Sequence, residues 1–187
     1  IPMGITRHPI LRQVTVAFGP PIRVASRGDA SELAARNQEI CHAIGLLTEV
    51  QAVHLVATII WTLCTHHRKS FPLKTVIHAV MDWTAFPPCP LVHPELIREP
   101  ESACRRACAY FARLGYLRIA GREIYPRESR VNNCPPWTTG YRRANPVRYW
   151  TNQVLHIKGI DTWAAEWVLG TPSPAGVSLI SPENTGK

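Results

Sequence analysis

Several features that would assign this chain quickly to a protein class are missing from its sequence. Its six cysteines include no Cys-x-x-Cys pair and are not closely and regularly spaced, so zinc-ribbon and disulfide-framework folds lose their main sequence support. This cysteine usage fits a reducing compartment. No signal peptide is visible at the start. Charged residues make up 18% and hydrophobic residues 45%, which excludes an intrinsically disordered chain.

Acidic residues are scarce relative to basic ones. The 187 residues contain 21 Lys+Arg and 13 Asp+Glu, which gives a formal net charge of +8. This balance indicates either an anionic partner (a nucleic acid, a phosphate-bearing substrate or an acidic membrane surface) or simply a mildly basic surface. No run of five basic residues occurs, so nothing marks one segment as a nucleic-acid-binding arm.

Long hydrophobic runs are also absent, with one near exception. Residues 50–67 carry no Asp, Glu, Lys or Arg, and a run of about 18 residues is close to the minimum for a membrane-spanning helix. Polar side chains interrupt the run at Gln51, His54, Thr58 and Thr62. We therefore predict a buried amphipathic helix here in preference to a membrane span.

The first 24 residues predict two strands. Residues 1–6 are short and apolar, as buried parallel strands are. In the second strand the alternation places Leu11, Val14, Val16 and Phe18 on a predicted inward face. Two strands alone do not make a stable sheet. We therefore expect them to be the last strands of a larger sheet. The start at Ile1, without an initiator methionine, fits either a processed N-terminus or a piece of a longer protein.

The rest of the chain predicts a mainly helical region followed by a mobile tail. Asp29 is the expected N-cap of the first helix, whose apolar stripe comprises Leu33, Ile40, Ile44 and Leu47. Helical spacing predicts helices over residues 30–47, 50–65, 73–83, 101–114, 146–157 and 162–169. A proline-rich connector covers residues 84–100, a short hairpin residues 116–125, and a loop residues 126–147. The domain boundaries follow as 1–28, 29–169 and a flexible tail at 170–187.

Three helices followed by a hairpin have the element order of a winged helix. A nucleic-acid-binding version would place Arg105, Arg106 and Arg113 on the groove-facing helix, with Arg118 and Arg122 on the hairpin. A compact helix-turn-helix has a turn of about three or four residues, and the proline-rich connector is much longer. We therefore do not expect nucleic acid to be the main partner. A winged-helix nucleic-acid-binding module is kept as the alternative, beside a packing module that binds no nucleic acid.

Four segments carry a resemblance to a known family. Residues 1–6 (IPMGIT) and 14–22 (VTVAFGPPI) resemble the fourth sequence block and the following strand at the end of the catalytic domain of glycerolipid acyltransferases. Residues 40–63, which include the phrase at 46–58 (LLTEVQAVHLVAT), are similar to the helix pair that follows in glycerol-3-phosphate and dihydroxyacetone-phosphate acyltransferases, and residues 107–125 to the helix–hairpin unit after it. Residues 148–156 (RYWTNQVLH) resemble their late phrase. The similarity covers residues 1–157 in the family's order.

The resemblance implies a fold and a function. The fold class is then α+β: the last strands of an α/β acyltransferase domain, followed by a mainly helical, winged-helix-like region. The family transfers a fatty acyl group from acyl-CoA or an acyl carrier protein to a glycerol phosphate in phospholipid biosynthesis, at a membrane surface facing a reducing compartment, and needs no metal or other cofactor. The implied substrate-binding residues are Ile1, Pro2, Gly4, Ile5 and Arg7.

The family's catalytic histidine and aspartate are separated by four residues and precede the fourth block, so the resemblance places them upstream of Ile1. His156 and Asp161 match that spacing, but they lie after the late phrase, and we interpret them as a chance match. A catalytically inactive fragment is the remaining alternative. Arg7-His8-Pro9 replaces a Tyr-containing acidic phrase of the family, which leaves open whether this is a glycerol-phosphate or a lysophosphatidate branch.

Overall fold

The computed structural model describes residues 1–22, 29–85, 91–133 and 145–170. The first half of the chain consists of β1 (Met3–Arg7), β2 (Val14–Phe18), α1 (Ala30–Gly45), α2 (Ala52–Thr65), β3 (Phe71–Pro72) and α3 (Leu73–Ala85). The second half adds α4 (Pro94–Arg98), α5 (Pro100–Arg113), β4 (Leu117–Ala120), β5 (Glu123–Pro126), α6 (Glu128–Val131), α7 (Pro146–Asn152) and α8 (Ile160–Leu169). The described residues thus form a mixed α+β fold with small antiparallel sheets, as the sequence predicts at this level.

The hydrophobic core is built around α2. Nearly every residue of this helix is buried, because α7, α8, α5 and α3 all pack against it. Leu55, Ile59 and Leu63 are completely inaccessible to solvent. The prediction of a buried helix in the uncharged run is confirmed. Among the described residues, no helix has both the length and the hydropathy that crossing a bilayer requires.

A three-stranded antiparallel sheet in the order β3-β5-β4 closes one side of this core. Ile124 on β5 pairs with Phe71 on β3 and with Ile119 on β4, and both Ile124 and Phe71 are buried. Gly115 adopts a left-handed backbone with φ 79° directly after α5, a conformation that glycine adopts without strain. The predicted helix end and the predicted hairpin are both confirmed.

The first two strands form a separate antiparallel hairpin, and two predictions about them are wrong. β1 pairs with β2 in the register Met3↔Phe18 and Ile5↔Val16, so β1 is not a buried strand of a parallel sheet. The apolar side chains at positions 14, 16 and 18 point outward, with exposed fractions of 60%, 48% and 70%. Their smaller neighbours at positions 15 and 17 take the sheltered side because that side lies close to the segment after α1.

Helix α1 begins as predicted, but it lacks the predicted buried stripe. The carboxylate of Asp29 accepts hydrogen bonds from the backbone N–H groups of Ser31 and Glu32, at 2.8 and 2.9 Å. None of the residues of α1 is buried, and Leu33 and Ile44 are 57% and 39% exposed. The periodicity is genuine, but within the described residues the stripe is only partly covered, chiefly at Leu47, which lies against Gly4.

The proline-rich connector and the late helices also differ from expectation. The connector contains α4, which begins at Pro94 with His93 as its N-cap; proline is favoured at the first helical position because that N–H has no partner in the helix. The predicted loop contains α6, and α7 ends at Asn152, earlier than predicted. Half of the predicted loop and nearly all of the predicted tail lie outside the described residues.

Candidate functional site

The β1 segment carries the five residues predicted to bind substrate, and strand alternation divides them between two faces. Ile1, Ile5 and Arg7 point outward and are exposed, whereas Pro2 and Gly4 are buried on the opposite face. One ligand lying on the outer face would therefore meet the first three residues and not the other two.

Pro2 and Gly4 fix how the hairpin packs. The Pro2 carbonyl accepts a hydrogen bond from the Gly19 N–H at 3.0 Å, which ties the two ends of the hairpin together. A Cβ atom on Gly4 would lie 2.7 Å from the Leu47 Cβ and 2.9 Å from the Leu47 carbonyl oxygen. Only glycine therefore lets this strand approach the segment after α1 so closely.

The outer face of the hairpin is an apolar surface open to solvent. Six apolar side chains line it, namely Ile1, Met3, Ile5, Val14, Val16 and Phe18. Ile1 and Phe18 are 83% and 70% exposed. Arg7 continues the same face at the end of β1, and residues 1–22 contain no acidic side chain. The chemistry of this surface suits a ligand with a hydrocarbon part and an anionic group.

A buried polar junction at the other end of β1 joins the hairpin to the helical region. The His8 Nε2–H donates to the Glu95 Oε2 at 3.1 Å, while the His8 Nδ1 accepts from the Leu11 N–H at 3.0 Å. The other oxygen of Glu95 accepts from the Arg106 guanidinium on α5. Nearby, the Thr15 hydroxyl donates to Glu49, and the Glu49 N–H donates to the Thr6 hydroxyl oxygen.

His93 completes a group of three potential metal ligands with His8 and Glu95, whose donor atoms lie within 4.8 Å of one another. The hydrogen bonds do not fit a metal site well. Because the Leu11 N–H points at the Nδ1 of His8, the ring proton sits on Nε2, the atom that would have to bind the metal. Burial, and then the positive charge of a protonated His93, lower the pKa of His8. The junction is therefore best described as a hydrogen-bonded clamp around one carboxylate.

His156 and Asp161, the pair with catalytic spacing, are not joined by a hydrogen bond or an ion pair in the described structure. The His156 ring lies against Gly45, where a Cβ would come 2.8 Å from the ring Cγ. Burial, followed by the charge of His42, lowers the pKa of His156. Asp161 is exposed in the first turn of α8, where the negative charge of a carboxylate interacts favourably with the helix dipole.

A second buried histidine lies in the core. The Nδ1 of His54 accepts the Gln51 N–H at 2.9 Å, and its Nε2–H donates to the Gln153 Oε1 at 3.1 Å. The ring also packs edge-on against Trp150, 5.3 Å between centroids. Complete burial lowers the pKa of His54 to about 4. These contacts join α2 to the segment that contains α7.

Sequence reasoning missed both polar clusters. His8 and Glu95 are 87 residues apart, so no local spacing indicates that they meet. The one local signal is His93-Pro94-Glu95, a typical helix start, in which the ring of His93 accepts the Glu95 N–H at 3.3 Å. No protein-family model matches this sequence, and comparison with curated proteins and with solved structures gave no match either.

Proposed function

We propose that this chain is the C-terminal part of a glycerolipid acyltransferase. In this proposal the whole enzyme transfers a fatty acyl group from acyl-CoA or an acyl carrier protein to the hydroxyl of glycerol-3-phosphate or a related glycerol phosphate. The enzyme works at a membrane surface that faces a reducing compartment, and it uses no metal or other cofactor. The sequence resemblance over residues 1–157 is the starting point.

The apolar outer face of the β1–β2 hairpin is the observation that carries the proposal. Six apolar side chains project from one side of a two-stranded sheet, and both outer strand edges lack a further strand among the described residues. An isolated two-stranded sheet is marginally stable in water, and such a surface favours burial. A larger α/β domain would supply the missing strands, and that domain together with the bound acyl group would cover this face.

Contacts between segments of the resemblance give further support. The first segment packs its Gly4 onto Leu47, which lies in the helix-pair segment. The late phrase meets the same segment through the bond from His54 to Gln153. Segments that are remote in sequence but similar to one family thus contact each other here.

The elements from α2 to β5 support a winged-helix-like unit as the finer description of the fold in this proposal. The elements α2, β3, α3, α5, β4 and β5 follow one another with α4 inserted, and the strands are arranged β3-β5-β4. In our proposal this unit buttresses the catalytic domain, because the His8–Glu95–Arg106 contacts connect it directly to the hairpin.

The outward residues of β1 receive specific roles in this proposal. The guanidinium of Arg7 contacts the phosphate of the acceptor through its fork of N–H donors. Ile1 and Ile5 contact the hydrocarbon part of the acyl group. Pro2 and Gly4 hold the strand in place. The general base that deprotonates the acceptor hydroxyl is a histidine upstream of Ile1, oriented by an aspartate.

Calorimetric titration of the full-length enzyme with sn-glycerol 3-phosphate tests the role of Arg7. We expect Arg7→Gln to weaken binding by at least about tenfold, as for loss of a charge-assisted hydrogen bond. Arg12→Gln, in the turn between β1 and β2, is the matched control and should bind like the native chain. Equal affinities for both variants would contradict the assigned role.

A further inference from the structure

Residues 113–130 form a basic surface around the β4–β5 hairpin that the proposed acyl transfer does not use. This stretch contains five arginines and two glutamates. We name it the arginine–tyrosine surface, after Arg113, Arg118, Arg122 and Arg130 with Tyr116 and Tyr125. All four of these arginines are exposed.

Most of the positive charge on this surface is not neutralised. Within the described residues, Arg113, Arg118, Arg122 and Arg130 form no ion pair with a carboxylate. The nearby Glu128 is instead bound by His67 at 2.8 Å. Unpaired guanidinium groups on one surface attract a polyanion.

Two of the arginines lie over tyrosine rings. The Arg118 guanidinium carbon is 4.4 Å from the centroid of Tyr125, its direct cross-strand partner. The Arg130 guanidinium carbon lies 6.0 Å from the centroid of Tyr116, and its Nη1 donates to the Leu114 carbonyl at 3.0 Å. Such planar arginine–aromatic pairs are surfaces on which nucleobases stack.

The arginines of α5 distinguish between the possible nucleic acids. Reading a duplex groove from α5 would use Arg105 and Arg106, but Arg105 is bound to Glu101 and Arg106 to Glu95. Their side chains are therefore engaged within the protein. Arg113, at the end of α5, has no ion pair, but the unpaired Arg118 and Arg122 and the stacked Arg118–Tyr125 pair all lie on the hairpin, which favours a single strand with accessible bases over a duplex.

A lipid membrane fits the same surface less well. Proteins that bind at a membrane interface combine basic residues with apolar side chains that insert below the headgroups. Among the described large hydrophobic residues of this stretch, only Ile119 is exposed, at 38%. We propose that the arginine–tyrosine surface binds single-stranded nucleic acid, the arginines contacting phosphates and the arginine–tyrosine pairs stacking on bases. This goes beyond the proposed acyl transfer.

Fluorescence anisotropy with a labelled 15-nucleotide oligo(U) at several salt concentrations tests the proposal. We expect binding that weakens as salt rises, with a log–log slope of about −0.7 for each phosphate contact. Arg118→Gln should make that slope shallower by about 0.7 and weaken binding. Tyr125→Leu should weaken binding at least about fivefold through lost stacking. Arg36→Gln on α1, which removes the same charge from an exposed pair with Glu39, should change neither.

Three outcomes would overturn the inference. The first is no oligo(U) binding at 50 mM salt, and the second is tighter binding to a duplex of equal length than to the single strand. The third is that the native chain binds vesicles containing 30% phosphatidylglycerol but not oligo(U), and that Arg118→Gln abolishes the vesicle binding. Because Arg118 is exposed, its variant should keep the native thermal unfolding midpoint. None of these measurements assays acyl transfer, so each proposal can fail while the other stands.

Discussion

Acid should destabilise this fold through His54, and the size of the effect follows from its surroundings. The imidazole is fully buried in α2 and is neutral in the folded state, with one nitrogen accepting the Gln51 N–H and the other donating to Gln153. A second ring proton would point at the Gln51 N–H. Complete burial is the largest effect, because it removes the charged ring from water, and it lowers the pKa of His54 from 6.5 to about 4.

The sign and the magnitude come from proton linkage. Below pH 6.5 the unfolded chain takes up a proton at this position, whereas the folded chain remains neutral until about pH 4. Stability is therefore greatest above pH 6.5 and falls between pH 6.5 and pH 4. One pKa unit corresponds to about 1.4 kcal/mol, so the loss amounts to about 3 kcal/mol at pH 4. His8 and His156, whose pKa values are also lowered, act in the same direction.

Urea unfolding followed by tryptophan fluorescence at pH 7.0, 5.5 and 4.5 measures this dependence. His54→Gln retains an acceptor and a donor but does not titrate, so its free energy of unfolding should depend less on pH by about 2 kcal/mol between pH 7.0 and pH 4.5. His78→Gln, on an exposed position of α3, is the control and should retain the native pH dependence. An unchanged pH dependence in His54→Gln would refute the reasoning.

Three further predictions concern packing and the polar junction. Gly4→Ala should destabilise the protein by about 1–3 kcal/mol in urea unfolding, because its Cβ would overlap Leu47; a loss below about 0.5 kcal/mol would contradict this packing. Burial, then the charge of a nearby glutamate, raises the pKa of Cys64 to about 12. Peptide mapping after brief iodoacetamide treatment should therefore find the exposed Cys41 modified and Cys64 protected. Equal modification of both cysteines would count against the structure. Glu95→Gln should cost about 1–2 kcal/mol and speed amide exchange in β1 more than in α2, and uniform exchange would argue against a clamp.

The helical core could be predicted from sequence because its signals are local. In α2 and α5 the apolar spacing repeats with the helical period, and Gly115 ends α5 within one residue of the expected position. The prolines at positions 94 and 100 indicate the local structure less clearly. Each begins a helix here, although the same residue inside a helix would break it.

The candidate site could be predicted only in part. Alternation along β2 correctly separates two faces, but it does not indicate which face the rest of the chain covers, so Val16 and Phe18 were assigned to the wrong side. The His8–Glu95 contact depends on segments 87 residues apart, and no pattern within either segment signals the other. The same reasoning explains the stripe of α1, whose helical spacing does not indicate that only its end at Leu47 packs against the hairpin among the described residues.

The most direct test of the central claim is an acyl-transfer assay on the product of the reading frame that contains this chain, including any coding sequence upstream of Ile1. With labelled acyl-CoA or acyl carrier protein and sn-glycerol 3-phosphate, the account predicts formation of lysophosphatidate. Activity should be lost when the histidine of an upstream His-x4-Asp motif is replaced, and it should survive His156→Gln. An absent upstream motif together with no acyl transfer, or loss of activity in His156→Gln with an intact fold, would contradict the account.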